Sequence, residues 1–88
     1  MNKIDSVTAM TDRQIQDWLR RISGETEPDT LPIALSGVND AIKECVFRNM
    51  SEHGKKAVQQ LIQEQKSRNR NQSEIQQHIA AIEKLIER

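Results

Sequence analysis

The chain has 88 residues, enough for one small domain with a single modest core. Only 35% of the residues are hydrophobic and 2% aromatic, so Ile, Leu, Val, Ala and Met must build that core around Trp18 and Phe47. Thirteen basic residues balance thirteen acidic ones, which removes the charge excess expected of a nucleic-acid or acidic-membrane binder.

The charge is unevenly placed. Residues 1–44 carry five basic and eight acidic groups, whereas residues 45–88 carry eight and five. Such polarity suits protein contacts and leaves self-association open. One cysteine excludes an internal disulfide, and neither a signal peptide nor an apolar run of about 18 residues is present, so the reading is a soluble, cytoplasmic protein. Three glycines, two prolines and the lack of a β-alternating run favour an all-α, compact single-domain bundle of five or six short helices.

Residues 1–10 mix polar groups with Ile4, Val7 and Met10 and read as a hinge-like or flexible segment, with the helical domain at 11–88. Thr11 and Gln14 form a capping box, and Ile15, Trp18, Leu19 and Ile22 follow at i, i+3, i+4 and i+7. That pattern predicts a helix over 11–23, ended by Gly24, with Trp18 as a core anchor. A polar acidic loop from Gly24 to Asp29 follows, then a helix over 31–36 capped by Asp29 or Thr30, where Pro32 is tolerated in the first turn.

Gly37 is expected to close that helix in a left-handed conformation. Asn39 or Asp40 then caps a helix over 39–49, with Ala41, Ile42, Cys45, Val46 and Met50 on its apolar stripe. On that stripe Cys45 reads as a small buried hydrophobe rather than a reactive thiol. Ser51 starts a helix over 51–66, whose inner side holds Gly54, Val58, Leu61, Ile62 and Gln65, and whose outer side holds Glu52, Lys56, Gln59, Gln60, Gln63 and Ser67. A basic, amide-rich loop leads to a second capping box at Ser73 and Gln76 and a last helix over 73–87. Glu83 with Glu87 and Lys84 with Arg88 are like-charged pairs at i, i+4, so the apolar stripe must hold that helix. The predicted core is Trp18, Leu35, Ile42, Val46, Val58, Leu61 and Ile82.

Catalytic signatures are lacking. His53 and His78 are widely separated, with no Cys or second His at metal-ligand spacing, and there is neither a phosphate loop nor a paired-carboxylate signal. The reading is therefore a non-enzyme with no cofactor and no metal site.

Three short segments carry a family resemblance. Ala34-Leu35-Ser36-Gly37 and Phe47-Arg48-Asn49-Met50-Ser51 resemble the ALKGA and F-x-NMS signatures of FliG, a flagellar motor switch protein, and Thr11-Asp12-Arg13-Gln14-Ile15-Gln16 is similar to its DDRSIQ. All three belong to that family's C-terminal, torque-generating domain and occur here in the same order, so the resemblance spans about residues 7–88. It implies the FliG C-terminal fold and a motility and chemotaxis role at the cytoplasmic face of the flagellar basal body. The implied partners are flagellar switch or stator proteins, with no membrane insertion and nucleic acid disfavoured.

In the family the fourth helix is the torque helix, whose exposed charges engage the stator's cytoplasmic loop. Here the lysine of the ALKG motif falls on Ser36, the arginine after NMS on His53 and the acidic pair on Gln60 and Leu61, while the arginine after a Gly-Pro turn has Arg70 or Arg68 as its counterpart. At the N-terminus, only Ile4 can stand for part of the family's Met-Phe-Val-Phe hinge. An excised domain of a divergent rotor protein and a small stand-alone relative both fit this pattern. The expected partner-binding residues are Glu52, His53, Lys56, Gln60, Arg68 and Arg70. The competing class is a stand-alone regulatory or nucleic-acid-binding protein using Arg48, Lys55, Lys56, Lys66, Arg68 and Arg70 as a basic patch.

Overall fold

The computed structural model describes residues 3–68 and 70–86, and every regular element among them is helical. A 3-10 helix, Lys3–Ala9, precedes α1 (Asp12–Glu25), α2 (Thr30–Ser36), α3 (Asp40–Arg48), α4 (Glu52–Ser67) and α5 (Gln72–Glu83). This is the expected all-α bundle.

Local sequence explains most of the boundaries. The Thr11 hydroxyl accepts from the Gln14 amide at 3.1 Å while the Gln14 side chain accepts from the Thr11 amide at 2.8 Å, completing the capping box. Asn39 caps α3 by accepting from the Ile42 amide, and Ser51 caps α4 by accepting from the Gly54 amide. At α2, Asp29 occupies the cap position without a side-chain hydrogen bond.

Three boundaries differ from expectation. Gly24 does not end α1, which continues to Glu25; Thr26 ends it, its backbone amide and its hydroxyl both donating to the Ile22 carbonyl. Ser73 does not open α5, because Asn71 lies two residues earlier and accepts from the Glu74 amide at 2.8 Å. The regular part of α5 stops at Glu83, where i to i+3 bonds from Leu85 to Ile82 and from Ile86 to Glu83 tighten the chain into a turn. The expected charge pairs with Glu87 and Arg88 lie outside the described residues.

The short α2 is the hub. Thr30, Pro32, Ile33, Ala34 and Leu35 are all buried, and α2 packs against α5 on one side and α4 on the other. Gly37 is what lets α5 come close. Its φ of −107° is open to any residue, so the expected left-handed closure does not occur. Space is the constraint instead: a Cβ on Gly37 would sit 2.4 Å from Ile75 Cγ2 and 3.4 Å from Ile79 Cδ1.

The chain ends are tied together across the bundle. Within the segment expected to be hinge-like or flexible, the 3-10 helix buries Ile4 and Val7 and packs mainly on α3. Its Ile4 amide donates to Glu83 Oε2 at 2.8 Å. From α1, buried Trp18 donates through Nε1 to the Ile82 carbonyl at 2.8 Å, and Arg21 Nη1 donates to the Leu85 carbonyl at 3.0 Å. Trp18 thus joins the Leu85 amide at the Ile82 carbonyl, and Arg21 serves the Leu85 carbonyl beyond the regular part of α5. That explains why Trp, with a ring donor, occupies a fully buried position.

Trp18, Leu35, Ile42, Val46 and Ile82 are buried as predicted. Val58 and Leu61 are only half-buried. Helix α4 is held chiefly by α2, and its buried residues are Ile62 and Gln65. Leu61 lies roughly 100° around the helix from Ile62, on the flank, and Val58 sits one turn before that contact. Cys45 is likewise half-buried, and Ala41 is exposed at the edge of its stripe.

Candidate protein-binding face

Two of the three segments carrying the sequence signatures, residues 11–16 and 47–51, meet in a polar clasp. Arg48 reaches from the end of α3 to Asp12 in the first turn of α1, with Nε at 3.2 Å and Nη2 at 2.9 Å from Oδ1. The amide of Asn49 donates to the same oxygen at 3.2 Å and to the Cys45 carbonyl at 2.9 Å, while Gln16 Nε2 donates to Asn49 Oδ1 at 3.1 Å. Hydrogen bonds from Asn49 first and Arg48 second hold the Asp12 carboxyl below its ordinary value of 3.8. Arg48 is thus spent on the scaffold.

Beyond the clasp, Met50 and Ser51 turn the chain into α4, whose first turn carries Glu52 near the helix N-terminus. Glu52, Lys56 and Gln60 follow at i, i+4 and i+8 with His53 beside them, so the four share one exposed face. Arg68, at the C-terminal cap, is also exposed. The structure therefore places four of the six expected partner-binding residues on one face of α4 and a fifth, Arg68, exposed at its end.

Arg70 is placed differently. It is half-buried, donating from Nε to the Oε1 of buried Gln65 and from Nη1 to Glu74. This contact joins α4 to α5 and satisfies the one buried amide of α4. Ser36 is also turned inward, its hydroxyl donating to the Ile33 carbonyl at 2.6 Å.

One surface concavity flanks α4 and another lies beside α1. One, of about 330 Å³, lies between α3 and α4, with Phe47 and Ile62 as its apolar part and Lys43 and Lys66 among its polar lining. Sequence reasoning missed it, because Lys43 and Phe47 stand one turn apart on α3 and only the crossing of α3 and α4 joins them to Gln59 and Gln63. The other, of about 290 Å³, lies beside α1, where Leu19, Ile22, Leu31 and Met50 meet. Among the described residues no group of three or more His, Cys, Asp or Glu could hold a metal ion, and no helix is long and apolar enough to cross a membrane. His53 is exposed and His78 half-buried, on different helices.

These features define a class: an all-α domain with a polar helix face carried on a hub helix. The family model described as the FliG C-terminal domain matches residues 1–88, and the chain belongs to that family. The family suggests a torque-domain-like role in the flagellar motor switch, as a non-enzymatic, cytoplasmic motor component interacting with other motor proteins. No curated protein and no solved structure matches the chain.

Proposed function

We propose that this domain is a non-enzymatic protein-interaction module that engages a flagellar switch or stator protein through the outer face of α4, with most of the family's stator-contact charges replaced. The observation supporting this is that α4 packs chiefly on one neighbour, α2, leaving Glu52, His53, Lys56 and Gln60 exposed as a continuous strip. At the positions the resemblance marks for charge stand Ser36, bonded to its own helix, and His53, Gln60 and Leu61. Such a strip makes weak, reversible contacts: each exposed charge contributes about 0.2–1 kcal/mol, screened by salt.

A nucleic-acid role has less support. Of the six basic residues available for a patch, Arg48 is paired with Asp12 and Arg70 with Glu74, which leaves a dilute set on a neutral chain. The test is a binding titration of the full chain against the stator's cytoplasmic loop and the switch proteins, with duplex DNA as the control. Lys56→Glu with Arg68→Glu reverses two exposed charges outside the packed core. The expected result is salt-sensitive protein binding that weakens in the double variant while the fold is retained. Steeply salt-dependent DNA binding without a protein partner would overturn the proposal.

A further inference from the structure

We infer that the cleft between α3 and α4 is a docking groove for an acidic amphipathic helix of the partner protein. The inference rests on the reading of α4 as a partner-facing helix and specifies what that partner presents. The cleft exists because α3 packs on the 3-10 helix and α1 whereas α4 packs on α2, so the facing flanks of α3 and α4 are not closed against each other. Half-buried Phe47, packed against the core, and buried Ile62 give it an apolar floor.

The polar lining is one-sided in charge. Gln59, Gln60 and Gln63 supply neutral donors and acceptors, and the charged groups among the lining residues are Lys43 and Lys66, with no carboxylate. Lys43 has its side chain 17% exposed, its stem covered and its ammonium 3.8 Å from Asp40, whose carboxylate is 98% exposed. That separation exceeds a hydrogen bond, so an incoming carboxylate can take the place of Asp40 at small cost. Lys66 makes no ion pair with the described residues.

An apolar floor with cationic walls selects a ligand carrying both features at close spacing. An amphipathic helix does so, setting an apolar side chain on Phe47 and Ile62 and carboxylates one turn away toward the lysines. The α4 wall from Gln59 to Lys66 spans about two helical turns, roughly 10 Å, a length suited to packing a third helix. Single-stranded nucleic acid would need open aromatic faces for stacking, and Phe47, the single phenylalanine, is half-buried.

The test uses the full chain, isotope-labelled for NMR, and two synthetic peptides of roughly four helical turns. One has Leu along one face and Glu on the other; its control has Lys in place of Glu. The Glu peptide is expected to bind saturably, shifting the amides of Lys43, Phe47, Gln59, Gln63 and Lys66, and the Lys peptide to leave them unmoved. Lys43→Glu with Lys66→Glu should weaken binding about tenfold, with exposed Lys66→Glu alone giving a smaller loss without risk to the fold. Equal binding of both peptides, shifts centred on the concavity beside α1, or tighter binding of a single-stranded oligonucleotide would overturn the groove. Lys56 and Arg68 are not among the residues lining the cleft. If their reversal abolishes binding of the stator loop while no peptide perturbs the cleft, the groove falls and the α4 face stands.

Discussion

Replacing Gly37 by Ala adds one methyl group where the end of α2 meets Ile75 and Ile79 of α5. The new Cβ would lie 2.4 Å from Ile75 Cγ2, against an ordinary carbon separation of about 3.5–4.0 Å, so about 1.1 Å must be found. Ile75 cannot easily supply it: the blocking atom branches directly from Cβ on a helical residue whose χ1 is stiff, and the side chain is 9% exposed. Either Ile75 leaves its rotamer or α5 moves off α2, at about 1–3 kcal/mol. Loss of glycine's freedom in the unfolded chain returns about 0.4–1 kcal/mol, because φ at this site is ordinary. The net expectation is a destabilisation of about 1–2 kcal/mol, or a melting temperature lower by about 5–15 °C. Trp18, the single tryptophan and fully buried, reports unfolding by fluorescence, and urea titration gives the midpoint and slope. In an Ile75→Ala background the same methyl should cost nothing, giving a coupling of about 1 kcal/mol or more. A Gly37→Ala protein as stable as the parent, or additivity of the two substitutions, would refute the argument from close approach.

Gly24 gives the opposite expectation: it is helical, nothing lies within 4 Å of a Cβ built there, and Gly24→Ala should raise stability by about 0.5–1 kcal/mol in the same urea titration. Trp18→Phe removes the donor to the Ile82 carbonyl and part of a buried ring, and should cost about 2–4 kcal/mol by circular-dichroism melting; a change under about 0.5 kcal/mol would remove the clamp on α5 from the account. Because Asp12 has a folded-state pKa below 3.8, its stabilising effect is complete above that value and is lost as pH falls through the folded value. The stability difference between the parent and Asp12→Asn should therefore be flat near neutrality and shrink in acid below pH 3.8, and NMR titration of the Asp12 carboxyl should give a midpoint under 3.8.

Helix positions were legible where local chemistry decides them. Thr11 with Gln14, Asn39 and Ser51 are short-range caps, and each starts the helix that its side chain indicates. Residues with two plausible roles are harder to read: Asn71 competes with Ser73 for the cap of α5, and the constraint on Gly37 is the width of Ile75 across the bundle rather than its own backbone. Such a clash is set by residues 38 positions apart in the chain, which no local pattern records. Arg70 reaches partners only five and four residues away, Gln65 and Glu74, but the turn between α4 and α5 decides that they meet. The outer strip of α4 follows from helical spacing alone, whereas the cleft beside it depends on how α3 and α4 cross.

The bonds from Ile4 to Glu83, from Trp18 to Ile82 and from Arg21 to Leu85 have a consequence for the order of assembly. The first 22 residues carry five of the buried apolar anchors, Ile4, Val7, Ile15, Trp18 and Ile22, yet the carbonyls that receive α1 belong to Ile82 and Leu85. A nascent chain therefore displays the apolar side of α1 incompletely covered until Ile82 and Leu85 have been added. Closure of α1 onto α5 waits on those residues. A stop codon introduced a few positions before Leu85 would leave a polypeptide with most of its helices encoded and no means of shutting the bundle, a species exposed to aggregation and proteolysis rather than a slightly shortened domain.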